Sequence, residues 1–150
     1  MCGVSGFVNM PEGIIPSVLN ALKHRGPDTQ SSVNFDNVSL LHTRLAIQDV
    51  LHAQQPMHFN EFTLVFNGEI YNHLELREEL QEFSFSTSSD TETLLHLLIK
   101  FKEKAFAKLD GMFAFCLFDK KNRTMLFGRD RAGKKPLYYF QEGEKFLFCV

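Results

Sequence analysis

Tryptophan is absent from this chain, and cysteine is scarce, with only residues 2, 116 and 149 among 150. There is no CxxC pair and no even-numbered disulfide framework, which excludes the small disulfide-stapled secreted class. Six histidines, at 24, 42, 52, 58, 73 and 96, form no HExxH motif and no cluster at ligand spacing, so no metal is assigned. GxSxG, P-loop and GxGxxG patterns are missing. No apolar run approaches transmembrane length, and the first ten residues lack a basic start before a long apolar stretch. Charge of one sign does not dominate: the net charge is -2, with acids and bases interspersed. Neither nucleic acid nor a membrane surface is therefore expected as a partner. A cytoplasmic setting fits these absences.

Apolar residues make up 44% of the chain, and phenylalanine alone supplies 16 positions. This length and composition suit one domain with a phenylalanine-rich core. Val4–Asn9 reads as a strand. Ile14–Lys23 is helical, with Pro16 near its start, where proline is tolerated. His24–Asp28 (HRGPD) is a turn. Val38–Ile47 reads as a strand, Gln48–Pro56 as a loop, and Phe62–Phe66 as a strand closed by Asn67-Gly68. A helix follows, with Asn72 and Glu75 in capping-box positions. Phe83–Ser86 is a candidate strand. The next helix places Leu94, Leu95, Leu98, Ile99 and Phe106 on one face, with Asp90 as a candidate N-cap. Strands are expected at Phe113–Phe118, Thr124–Gly128, Leu137–Phe140 and Phe146–Val150. Several are apolar on successive residues, which implies burial of both faces and two packed sheets with helices outside. The last strand is apolar to its final residue, which reads as a fragment of a longer polypeptide.

Cys2 stands behind only the initiator methionine. With Met1 removed, one residue carries a thiol and a free α-amine. A thiol of pKa about 8.5 is mostly protonated at neutral pH, whereas an amine of pKa about 7.7–8.0 has a useful neutral fraction and can accept its proton. With Met1 retained, that nitrogen is an amide and no base. A nucleophile attacking an amide also needs donors for the oxyanion. Asn67 and the Gly68 backbone N–H are candidates, although Asn-Gly equally suits a simple turn. Arg44, in a largely apolar strand, suits either a bidentate carboxylate clamp or a structural ion pair. Asp90 suits either a helix cap or the seat of a substrate ammonium.

Eight motifs occur in order: Cys2-Gly3, HRGPD at 24–28, HTRLAIQD at 42–49, QPM at 55–57, NGEIYNH at 67–73, SDTE at 89–92, LDGMFAFCLFD at 109–119 and RDRAGKKPLYY at 129–139. Together they resemble the glutaminase domain of glutamine-dependent asparagine synthetases, which are class II amidotransferases with an N-terminal nucleophile. The resemblance covers nearly the whole chain. It implies an α+β fold, a four-layer αββα sandwich of two mostly antiparallel sheets. It implies Cys2 as nucleophile and Asn67 with Gly68 as oxyanion hole. Arg44 would bind the α-carboxylate of L-glutamine, and Asp90 with Glu69 its α-ammonium. The backbone near Ile47 and Gln48 would help to seat the substrate. Arg25 would pin a loop near the nucleophile, and Gly133 would open a turn. Residues 1–150 would form the amidotransferase domain, cut short at its C-terminal end. The C-terminal synthetase domain, with its ATP and Mg²⁺, would be missing; no cofactor is expected in this domain, and a homodimer is allowed.

Two departures stand out. After RGPD the acidic residue and glycine usual in the family are replaced by Thr29-Gln30-Ser31-Ser32, which implies a loop of different shape. No Ser-Gly-Gly ATP loop follows. Two rivals remain at this point: a non-catalytic interaction domain with Met1 retained, and the same glutaminase chemistry feeding another carboxylate acceptor.

Overall fold

A computed structural model describes residues 1–150. The strands are β1 (Gly3–Val8), β2 (Thr29–Phe35), β3 (Val38–Arg44), β4 (Met57–Phe59), β5 (Phe62–Ile70), β6 (Gly111–Asp119), β7 (Thr124–Arg129), β8 (Tyr138–Glu142) and β9 (Lys145–Cys149). The α-helices are α1 (Ile15–Leu22), α2 (His73–Glu78) and α3 (Asp90–Phe101), with 3-10 turns at Glu12–Ile14 and Lys102–Ala107. Two sheets result, in the orders β2-β3-β1-β9-β8 and β4-β5-β6-β7. Every pairing is antiparallel.

Alternation along the strands builds two cores. Val4, Val38, Leu40 and Phe148 of the first sheet meet Val65, Ala114, Cys116 and Phe118 of the second, filling the gap between the sheets. The opposite face of β5 and β6 presents Leu64, Phe66, Phe113, Phe115 and Leu117 to Leu94, Leu95, Leu97 and Leu98 of α3. Strand β6 is thus buried on both faces, as its unbroken apolar run requires. Helix α1 lies on the first sheet, against β1 and β3. The order of layers is helix, sheet, sheet, helix, an α+β sandwich with few helices. Each fully buried phenylalanine or leucine contributes about 1.5–3 kcal/mol.

Four local expectations are corrected. Thr29–Phe35 is a strand paired along β3, not an altered loop. Only Val33 and Phe35 are apolar and pack against the inter-sheet core; the first four residues are polar and carry no alternation, so the pairing partner imposes the conformation there. Asn67-Gly68 does not close β5, because the strand runs on to Ile70, with Asn67 opposite Ala114 and Gly68 opposite Phe113. Phe83–Ser86 forms no strand; Phe83 and Phe85 instead pack around the buried His96 ring. Asn72 occupies the N-cap of α2 but caps nothing with its side chain. It binds the Lys108 carbonyl at 2.9 Å and accepts from Asp110 N–H at 3.1 Å, fastening the turn before β6.

Candidate functional site

The alternation that fills the inter-sheet core also aims the site residues. Val4, Leu40 and Val65 point into the gap, and so, by parity along the same strands, do Cys2, Arg44, Asn67 and Glu69 at its end. They line a cavity of about 120 Å³ together with Met1, Leu45, Ile47, Gln48, Asp90 and Lys135, among others.

Cys2 leads directly into β1. Its Sγ receives the Leu45 backbone N–H at 3.4 Å and lies 3.7 Å from the Leu45 carbonyl, so the sulfur is held at the end of β3. Asp28 of HRGPD fixes the same stretch, accepting from Ala46 N–H at 2.8 Å. This corrects the role expected of Arg25. Its guanidinium Nε is buried without a partner, and the motif pins the loop through Asp28 instead.

Asn67 is 3% exposed, and its Nδ2 has no hydrogen-bond partner. An unmet buried donor costs about 1–3 kcal/mol, so its retention in a cavity wall calls for a ligand. Gly68 supplies a second donor through strand register. Both Phe113 main-chain groups turn away from β5, its N–H to the Asp130 carboxylate at 3.2 Å and its carbonyl to Asp130 N–H at 2.8 Å. The Gly68–Phe113 pair is therefore a non-hydrogen-bonded one, and the Gly68 N–H points to the free edge of β5. Its neighbours of the same parity confirm that direction: Phe66 N–H binds Gln55 Oε1 at 2.6 Å, and Ile70 N–H binds Asp90 Oδ2 at 2.9 Å. Glycine is required here, since a Cβ would lie 2.2 Å from the Met112 carbonyl oxygen and 2.7 Å from Phe113 Cα.

Arg44 forms no ion pair. Its Nη1 donates to the Val50 carbonyl at 2.7 Å, and its Nη2 donates to the carbonyls of Asp49 at 3.0 Å and Gln48 at 3.4 Å. The guanidinium folds the 48–50 segment over the cavity and is only 5% exposed. Gln48 contributes more than backbone, because its Oε1 accepts from Asp90 N–H at 3.3 Å. Ile47 is 73% exposed at the rim.

Asp90 is not the N-cap of α3. Ser89 holds that place, its Oγ accepting from Glu92 N–H. Asp90 is therefore free to turn its buried carboxylate toward β5 and the cavity. Burial raises its carboxyl above the ordinary value, opposed by the Ile70 N–H and by His73. The preceding loop is clamped from two sides. Arg77 donates to the carbonyls of Thr87 and Ser89 at 3.0 and 2.8 Å, and the Glu92 carboxylate accepts from the N–H groups of Ser86 and Thr87 at 2.8 and 2.7 Å. Glu69, half buried, faces the same cavity from β5.

The cavity thus gathers every candidate residue predicted from the sequence. It adds Leu45 and Lys135, which residue type alone did not signal. Lys135 lies in the RDRAGKK stretch, and its side chain is buried.

The arrangement defines a class: a sandwich of antiparallel sheets with a cysteine at the head of a central strand and hydrogen-bond donors facing it, the architecture of N-terminal nucleophile hydrolases. The glutamine amidotransferase domain family matches residues 1–150. Asparagine synthetase [glutamine-hydrolyzing] 1 of Bacillus subtilis is 39% identical, covering 99% of this chain and 26% of its own length. Asparagine synthetase [glutamine-hydrolyzing] 3 of the same organism is 36% identical over 99% of this chain and 26% of its own. Asparagine synthetase [glutamine-hydrolyzing] 3 of Arabidopsis thaliana is 42% identical over 92% of this chain and 25% of its own. The chain belongs to the class II glutamine amidotransferase domains and is homologous to the N-terminal part of glutamine-hydrolysing asparagine synthetases. It spans about a quarter of the length of these curated relatives. No helix is long and apolar enough to cross a membrane.

Proposed function

We propose that this domain hydrolyses the side-chain amide of L-glutamine and supplies the ammonia to asparagine synthesis on a synthetase domain of the kind its relatives are named for. The carrying observation is the unpartnered, buried Asn67 Nδ2 in the wall of the cavity that Cys2 lines. Removal of Met1 frees the α-amine of Cys2. That amine takes the thiol proton while Sγ attacks the amide carbon of glutamine. Asn67 Nδ2 and Gly68 N–H receive the oxyanion. The carbon–nitrogen bond then breaks, the departing nitrogen takes the proton, and ammonia leaves a γ-glutamyl thioester on Cys2. Water, deprotonated by the same amine, attacks the thioester and gives glutamate and the free thiol.

The remaining contacts fix the substrate. Arg44 offers a planar fork to the α-carboxylate. Asp90 and Glu69 face the α-ammonium, and Ile47 and Gln48 close the rim. ATP and Mg²⁺ act on the synthetase domain, and no residue of this chain is assigned to them. The test is glutamate and ammonia release from glutamine by a chain that starts at Cys2, against Cys2→Ala and against the chain that keeps Met1. Release by the first alone supports the reading. Equal release by all three removes it.

A further inference from the structure

Lys135 has no role in the mechanism above, yet it is 4% exposed and lines the same cavity as Cys2. A buried ammonium is costly, and the fold takes trouble to place this one. The Asp130 carboxylate accepts from the N–H groups of Lys134 and Lys135 at 2.9 and 3.0 Å and from Phe113 N–H at 3.2 Å. This locks the 130–135 turn to β6, opposite Gly68. Gly133, at φ 63°, turns the chain there. From that anchor the Lys135 side chain reaches back to the start of the chain, with Nζ 2.7 Å from the Met1 Sδ.

We propose that Lys135 is a positioning residue for the amidotransferase reaction: its buried ammonium beside the first two residues opposes a second positive charge there and holds the freed Cys2 amine in its neutral, proton-accepting form. The inference rests on the glutaminase reading, in which that amine is the base. Like charges in a poorly hydrated cleft disfavour each other's ionised state. The charges around Lys135 fit the role. Burial and the Arg25 guanidinium draw its ammonium below the usual lysine value, while Asp130, Cys2 and Glu69 favour the charged form. Arg44 from the end of β3 and Asp90 from α3 complete the set of charges lining the cavity. While Met1 is present, its Sδ is the group in contact with the ammonium. Removal of Met1 takes that contact away and leaves Lys135 and the new terminal residue lining one cavity.

The test uses the chain beginning at Cys2, released from a removable N-terminal fusion, as wild type, Lys135→Met, Lys135→Gln and Lys135→Arg. The readouts are kcat/KM for glutamine and the 15N chemical shift of the isotopically labelled Cys2 α-amine, each followed from pH 5 to 9, with circular dichroism as the fold control. Loss of the charge should move the acid limb of the first and the midpoint of the second up by about one to two pH units. Lys135→Arg should restore the wild-type limb. Coincident profiles in a folded neutral variant overturn the proposal. A uniform loss of rate with an unmoved limb does the same, because it marks a purely structural lysine. Should Lys135→Met fail to fold, Lys135→Gln decides. A wild-type chain inert toward glutamine would refute the glutaminase reading, and the amine titration would still decide the electrostatic claim.

Discussion

Replacing Asn67 by alanine should separate catalysis from stability. In most proteins a buried asparagine is held by hydrogen bonds, and its loss lowers stability and activity together. Here the Nδ2 donor has no partner among the protein's own groups, although the residue is 3% exposed. Asn67→Ala therefore breaks no hydrogen bond at that nitrogen, and it relieves a desolvation cost of about 1–3 kcal/mol. The packing lost at a cavity wall open to solvent offsets part of that gain. Thermal midpoint should stay level or rise. Turnover should fall by about 10²–10³, equal to about 2.7–4 kcal/mol of transition-state stabilisation, because one oxyanion donor is gone. The ground-state amide makes little use of that donor, so KM should scarcely move. The assay is steady-state glutamate release beside a thermal melt of the same preparation. A rise in KM at constant kcat, or a melt lowered in proportion to lost activity, would refute the oxyanion assignment.

Four further outcomes follow from the same geometry. Gly68→Ala should destabilise the fold by about 1–3 kcal/mol in urea titrations, because the new Cβ meets the β6 backbone, which cannot yield as a side chain would. Arg44→Lys should raise KM for glutamine about 10–100-fold, since one ammonium replaces a fork worth about 1.5–3 kcal/mol and frees the 48–50 carbonyls; unchanged binding would make Arg44 a loop fastener only. Glutamine affinity should weaken as pH falls through the Asp90 pKa, which burial holds above the ordinary carboxylate value; the ionised carboxylate is needed for the ammonium, and Asp90→Asn should abolish this pH dependence. His42 is buried with neither ring nitrogen in hydrogen-bonding geometry, and burial, followed by the Arg44 guanidinium, lowers its pKa to about 4 against a weak opposing effect of the Phe66 backbone. The unfolded chain then binds the extra proton between pH 6.5 and about 4, so stability is fully present above pH 6.5 and lost as pH falls to about 4. The loss should amount to about 3 kcal/mol in urea titrations, and His42→Leu should remove that slope.

What the sequence made legible follows from where neighbours decide conformation. The apolar run at 113–118 reads directly as a strand buried on both faces, because each parity meets a different core. The 94–99 face reads directly as the inner side of a helix. Strand β2 does not, since Thr29–Phe35 carries little apolar surface and takes its form from β3. Asn67-Gly68 has the composition of a turn. Only the β6 register, with Phe113 turned toward Asp130, makes it a strand whose glycine N–H faces the cavity. Asp90 is displaced from the cap by Ser89, a competition between adjacent capping residues that composition cannot rank. Lys135 was illegible because its burial depends on a turn folded by Asp130 and on contact with the far end of the chain.

The central claim is that Cys2 becomes the nucleophile once its amine is free. The most direct measurement is intact mass and peptide mapping after exposure to an electrophilic glutamine analogue, on chains with and without Met1. One adduct on Cys2, formed only in the chain lacking Met1 and suppressed by glutamine, is the predicted result. An adduct on Cys116 or Cys149, or equal labelling of Cys2 with Met1 in place, would contradict it.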